Sequence, residues 1–377
     1  MPKFLLSGYY GFNNLGDEAI LYSLITGLQE VYPRGEIAVL SNLPQETTAS
    51  FSVTSFHRYY PWEIHQALKW SDCFISGGGS LLQDVTSWYS PLYYLGLIRL
   101  ANLYSLPSVF CCQGVGPLKR EWLQKLTADT LATMDKITVR DFASRDLLLE
   151  LGLKAERITV LDDPVFLLSP ELLQELRETI SWPDLFSQPE KGEELLATSS
   201  ESKILGLALR PWKNNSYLKP LALGLSRFCQ ANPEFKLLFL PFHGQRDYQV
   251  SQQLISRLTG VKKEKIILAR PTEDPRKLLS LYDKLDLLLG VRLHSLVFAA
   301  LTSVPLVAIE YDPKIAGFLA RFAEEPAGTT GNITADRISS KLAATWKRKE
   351  DWQKNLTDYK NQARKRLLEF LQNIIPC

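Results

Sequence analysis

LDLLLGVRLHSLVFAALTSVPLVAI, residues Leu285–Ile309, decides how the rest of the chain is read. Leu285 to Leu289 reads as a buried strand, Gly290 as a tight turn, and a helix begins near His294. The apolar run from Val304 to Ile309 reads as a second buried strand. Two continuously apolar strands flanking a helix mark a parallel sheet covered on both faces. Gly290 lacks a Cβ, so the backbone can turn sharply at the strand end. Arg292, Leu293, His294 and Ser295 then fall on the first helical turn, at the carboxyl edge where open α/β sheets bind ligands. Free N–H groups and a partial positive charge at that turn suit an anion. Arg292 adds a planar fork matched to phosphate or carboxylate, and His294 can exchange a proton near neutral pH. An ordinary helix start with a salt-bridged arginine and a packed histidine would carry the same letters.

Working outward, the carboxyl half repeats the pattern. Lys203 to Leu209 reads as a strand ending in Arg210, and Phe235 to Pro241 as one ending in FHGQRD, with His243, Gln245, Arg246 and Asp247. Lys314 follows the strand that closes the opening stretch. Successive strand ends carrying Arg or His are more specific than any single one, because in a parallel sheet they converge on one rim.

The amino half reads as a first series of strands at Lys3–Ser7, Glu36–Ser41, Asp72–Ser76, Ser108–Cys112, Lys136–Arg140 and Ile158–Leu161. After the first strand, GYYGFNNLGDEAI places Gly8, Gly11 and Gly16 in a loop that opens a helix, but their spacing is not that of a dinucleotide fingerprint. Asp17 and Glu18 at the helix start oppose a phosphate. With Asn14 they fit sugar hydroxyls, which accept from amides and donate to carboxylates; plain capping explains them equally well. Gly77, Gly78, Gly79 and Ser80 follow the third strand and lead to Gln83 and Asp84, while Arg140 and Asp141 end the fifth. Pro91–Leu106 is an apolar aromatic helix, read as core, with contact to a membrane face as the alternative.

The chain of 377 residues is long enough for two or three domains, and its net charge of +2 gives no track for nucleic acid. Five cysteines lack both a disulfide framework and paired zinc spacing, which points to a reducing compartment. No secretory signal is expected from Met1-Pro-Lys running into a strand, nor is a bilayer-spanning run, so the expected location is cytoplasmic. The division expected is a Rossmann-like domain over 1–180, a polar linker or surface excursion over 181–202, a second Rossmann-like domain over 203–350, and a helix over 351–377 returning to the first. The fold class expected is therefore α/β, GT-B-like, with two doubly wound domains facing across a cleft.

GYYGFNNLGDEAI, SGGGSLLQD, the PFHGQRD segment, GVRLHSLVFA and EYDPKIAGF together resemble the polysaccharide pyruvyl transferase family, especially its CsaB-type members. PFHGQRD departs from the family pattern at Arg246. The resemblance implies transfer of the enolpyruvyl unit of phosphoenolpyruvate to a sugar as a ketal. For CsaB-type members it implies N-acetylmannosamine in a lipid-linked cell-wall disaccharide, whose product anchors S-layer homology domains. No cofactor is implied beyond phosphoenolpyruvate as donor, and peripheral membrane contact would follow the lipid. That chemistry needs fixed cations for carboxylate and phosphate: Arg292, Arg210, Lys314 and Arg140, aided by Leu293 and Ser295 at the helix start. It needs a proton donor to C3, His294, and a base for the hydroxyl, for which Asp84 is preferred over Asp17 and Glu18. Asn14, Gly78, Gly79 and His243 complete the expected acceptor site, and no metal cluster is evident. Two other readings stay open: a nucleotide-sugar glycosyltransferase of the same architecture, and a non-catalytic carbohydrate-binding protein. The second has no use for a cationic rim.

Overall fold

Phe4, Leu5 and Leu6 are wholly buried in β1 (Lys3–Ser7), the strand around which the first sheet is laid out. A computed structural model of the chain describes residues 1–85, 87–180, 183–186 and 202–375. Most of the linker expected over 181–202 therefore lies outside the described residues. The chain divides into two units, one of Met1–Ser169 with the residues from Gln362 onward, the other Pro170–Asn361.

In the first unit, α1 (Leu15–Val31), β2 (Glu36–Ser41), α2 (Pro44–Phe51), β3 (Thr54–His57) and α3 (Pro61–Trp70) follow β1. Then come β4 (Cys73–Gly77), α4 (Tyr89–Leu103), β5 (Ser108–Gln113), α5 (Glu121–Leu131), β6 (Lys136–Val139), α6 (Phe142–Glu150) and β7 (Ile158–Val160). Among the described residues the sheet has seven parallel strands in the order β3-β2-β1-β4-β5-β6-β7. The order reverses direction between β1 and β4, the switch point at which such sheets leave a crevice. Central strands read as apolar runs because helices cover both faces, whereas the edge strand β3, TSFH, is half polar and part-exposed.

The second unit begins with α7 (Pro170–Thr179), whose Arg177 pairs with Asp283 at 2.8 Å. Its sheet holds β8 (Lys203–Ala208), β9 (Phe235–Phe239), β10 (Ile266–Leu268), β11 (Leu287–Gly290), β12 (Leu306–Glu310) and β13 (Gly328–Thr329). The described strands run in parallel, in the order β10-β9-β8-β11-β12-β13, so the switch point lies between β8 and β11. After α7 the described helices are α8 (Leu218–Ala231), α9 (Gly244–Ile255), α10 (Pro275–Tyr282), α11 (Leu293–Leu301), α12 (Pro313–Leu319), α13 (Ala335–Lys347) and α14 (Lys349–Gln372). Two Rossmann-like α/β units of this kind are the GT-B-like fold. The last turns of α14 belong to the first unit: Arg364 pairs with Glu30 at 2.6 Å, Arg366 with Asp162 at 2.7 Å, and the Tyr32 hydroxyl donates to the Leu371 carbonyl at 3.0 Å.

Gly290 serves a different need from the one its position suggests. It carries no positive φ; a Cβ there would lie 2.5 Å from Ser295 Oγ and 2.7 Å from Leu296 Cδ2. Its lack of a side chain lets α11 pack hard against the end of β11.

Candidate active site

Arg292 caps α11 with extended backbone, φ −103° and ψ 134°, directly past the switch-point strand β11. Its carbonyl accepts from the Ser295 hydroxyl at 2.6 Å and the Ser295 N–H at 3.1 Å, so Ser295, wholly buried, closes the helix turn. The Arg292 fork is held by Asp247: Nε donates to Oδ2 and Nη2 to Oδ1, both at 2.5 Å. Asp247 is fully buried on the first turn of α9, and the N–H groups of Phe242 (3.1 Å) and His243 (2.9 Å) also donate to its Oδ2. One carboxylate thus joins the loop after β9, the start of α9 and the start of α11.

Arg210 follows β8, the other switch-point strand. Its guanidinium lies 3.9 Å from the Tyr311 ring and 5.0 Å from the Trp212 ring, while its carbonyl accepts from the Tyr217 hydroxyl at 2.6 Å. Arg210 Nε is buried without a hydrogen-bond partner among the described residues. Burial, and then the like charge of Arg292, push its pKa below the ordinary arginine value, although the Tyr311 and Asp247 oxygens oppose them. Lys314, in the first turn of α12, sits 3.5 Å from Asp312 and 5.5 Å from the Tyr311 ring that Arg210 also faces. Burial, and then the like charge of Arg292, lower the pKa of His243 below the ordinary histidine value. His294 is half-buried one position past buried Leu293 on α11.

The second unit therefore brings together Arg210, Arg292, Lys314, His243, His294, Leu293 and Ser295 at one edge. Arg292 has a buried carboxylate partner; Arg210 has a buried donor left over. An unmet buried donor costs about 1–3 kcal/mol, which an oxyanion ligand would relieve.

The first unit holds a different constellation at its own switch point. Glu18 is buried on the first turn of α1, where its Oε1 accepts from the Gly11 N–H at 2.8 Å and the Phe12 N–H at 3.3 Å. Burial raises its pKa from 4.5 to about 7, and the neighbouring Asp17 charge adds to the rise against those N–H groups. Asp17 accepts from Asn14 Nδ2 at 2.5 Å. Gly78 and Gly79 both adopt left-handed backbone, φ +76° and +75°. A Cβ on Gly79 would lie 2.6 Å from Asp17 Oδ1, and one on Gly78 2.1 Å from Ile20 Cγ2. The glycine loop is built for the start of α1 to approach it closely.

Three of the sequence expectations land elsewhere. His243, grouped with the acceptor residues, belongs to the cationic cluster of the second unit. Arg140, grouped with those cations, belongs to the first unit: its Nη2 donates to Ser80 Oγ at 2.6 Å, and Asp163 and Asp141 lie 3.6 and 3.7 Å from its guanidinium. Asp84 is a poor base. Its carboxylate accepts from the N–H groups of Lys119 (2.9 Å) and Arg120 (3.1 Å) and from the Arg120 guanidinium (3.1 Å). Burial favours its protonated form, but these donors outweigh it and hold the pKa below the ordinary aspartate value. Asp84 anchors the 119–120 backbone, while Glu18 has the pKa a base needs.

Arg58 was not expected at all. It is 2% exposed, donates to the Gly8 carbonyl at 2.6 Å and the Tyr94 hydroxyl at 3.1 Å, and so fixes the loop that holds Glu18. It also stands just past a strand end, but TSFH is too short and polar to be read as a strand. Among the described residues no group of three or more His, Cys, Asp or Glu could hold a metal ion, and no helix is long and apolar enough to cross a membrane.

Solved structures share the fold at low identity. The UDP-GlcNAc 2-epimerase from Neisseria meningitidis bound to UDP-GlcNAc superposes with a TM-score of 0.61 at 13% identity, covering 98% of this chain and 99% of that one. A glycosyltransferase from Rickettsia africae gives 0.61 at 13%, covering 99% and 98%. Anabaena HepE in complex with UDP and glucose gives 0.59 at 14%, covering 99% and 97%. No curated protein sequence matches the chain. The sequence model described as polysaccharide pyruvyl transferase matches residues 14–313, most of the chain. This protein belongs to the polysaccharide pyruvyl transferase family.

Proposed function

We propose that the protein transfers the enolpyruvyl carbons of phosphoenolpyruvate to a sugar diol, forming a pyruvate ketal and releasing phosphate. The observation that carries this reading is the pair Arg210 and Arg292 at the second switch point, with a buried Arg210 Nε lacking a partner. Phosphoenolpyruvate brings a carboxylate and a phosphate, which suit two guanidinium forks and Lys314. A neutral glycan would have no use for them.

His294 donates a proton to C3, which leaves an oxocarbenium-like centre at C2. One sugar hydroxyl adds there and loses its proton to Glu18. The C2–O bond to phosphate breaks with its electron pair leaving on phosphate, and a second hydroxyl closes the ketal, its proton returning to the imidazole of His294. Asn14 and Asp17 orient the diol, and Arg58 keeps the Glu18 loop in place. In the CsaB-type form of this reading, the acceptor is N-acetylmannosamine in a lipid-linked cell-wall disaccharide, met at the inner membrane face.

The test is incubation with phosphoenolpyruvate and a lipid-like diphosphate of that disaccharide. A mass gain of one pyruvate less one water, with equimolar phosphate release, supports the reading. Release of a nucleoside diphosphate from a sugar donor instead would replace it with glycosyl transfer. The His294→Ala protein should stay folded and lose about 10²–10⁴-fold in turnover; activity above a tenth of wild type would remove His294 from its role.

A further inference from the structure

Beside the Asn14–Asp17–Glu18 site runs a strip of aromatic rings that pyruvyl transfer itself does not use. Tyr9 and Phe12, on the loop leading into α1, stack at 4.1 Å with planes 10° apart. Behind them the Arg58 guanidinium lies 5.0 Å from the Phe12 ring, 5.1 Å from Tyr59 and 4.4 Å from Tyr93. Arg58 has no carboxylate partner among the described residues, so a buried charge is held in place by π faces, a carbonyl and a phenol. Such an arrangement fixes the rings in position before any ligand arrives. Tyr59 is 52% exposed and Tyr9 38%, so both present surface to water. The strip adjoins the carboxylates: the Tyr9 phenol is raised by burial first and then by the charge of Asp17 and the nearby Tyr59.

A pyranose has an apolar face of C–H bonds and a rim of hydroxyls. Flat rings fixed beside carboxylate and amide acceptors match both parts of that surface. We propose that Tyr9, Phe12 and Tyr59 form a stacking subsite for a second sugar of the acceptor, next to the hydroxyl site at Asn14, Asp17 and Glu18. The proposal rests on the reading that the first unit binds the sugar acceptor, and deepens it: the enzyme would prefer a disaccharide end over a lone hexosamine.

The experiment measures binding of N-acetylmannosamine and of an N-acetylmannosaminyl-N-acetylglucosamine disaccharide by calorimetry, without phosphoenolpyruvate. Wild type should bind the disaccharide about fivefold or more tighter than the monosaccharide. Tyr59→Ala and Phe12→Ala should bring the two within about twofold, with Tyr59→Phe retaining the preference. Retained thermal stabilisation by phosphoenolpyruvate confirms that each variant is folded. An unchanged preference in both alanine variants overturns the subsite, as does a wild type that prefers neither sugar. Loss of binding to anionic vesicles in those variants, with the sugar preference intact, assigns the rings to lipid and also overturns it. Loss of the preference in an enzyme that forms no ketal would leave the subsite standing and defeat the reaction instead.

Discussion

Asp247 grips Arg292 through two nitrogens of its guanidinium, at 2.5 Å each, while accepting the N–H groups of Phe242 and His243. The pair lies at the second switch point, so the charge proposed to orient an anion there is itself oriented by a buried carboxylate. Removing the carboxylate leaves Arg292 uncompensated and two N–H donors unmet. Asp247→Ala should therefore lose about 3–5 kcal/mol of stability, read from urea unfolding. A loss below about 1 kcal/mol would mean the pair is solvated and contributes little.

Glu18 gives a pH signature. Its pKa rises from 4.5 unfolded to about 7 folded, so folding favours the protonated acid. Its contribution to stability is thus greatest below 4.5 and is lost as pH climbs through 7. Glu18→Gln should flatten that decline in a pH series of thermal midpoints. As a base, Glu18 must be ionised, so kcat/KM should rise through an apparent pKa near 7 and fall by about 10²–10⁴ in Glu18→Gln. An unchanged acid limb in the glutamine variant would assign the proton to another group.

Gly79 tests the close approach of the glycine loop to α1. An alanine there must adopt φ +75° and bring its Cβ within 2.6 Å of Asp17 Oδ1. Gly79→Ala should cost about 1–3 kcal/mol and raise KM for the acceptor more than for phosphoenolpyruvate. Gly96, which has no atom within 4 Å of an added Cβ, provides the control: Gly96→Ala should be neutral or stabilising.

Continuous apolar runs such as Leu287–Leu289 and Phe4–Leu6 could be read from the letters alone, because a strand buried on both faces needs no alternation. The strand ends followed, and with them Arg210, Arg292, Asp17 and Glu18. What could not be read were tertiary pairings. Asp84 and Glu18 are both carboxylates after a glycine-containing loop, yet Asp84 meets the N–H groups and guanidinium of the distant Lys119–Arg120 segment, whereas Glu18 meets N–H groups of its own loop and is raised by burial and the Asp17 charge. Only the partners from distant segments separate a held anion from a base. Arg58 escaped for a local reason, its edge strand being too short and polar to announce itself.

The central requirement is that the second unit holds phosphoenolpyruvate through Arg210 and Arg292. Calorimetric titration of phosphoenolpyruvate into wild type, Arg210→Ala and Glu18→Gln addresses it directly. Wild type and Glu18→Gln should bind alike, and Arg210→Ala about tenfold or more weaker, since a charged hydrogen bond contributes roughly 1.5–3 kcal/mol. Equal affinity in Arg210→Ala, or no binding to wild type, would contradict it.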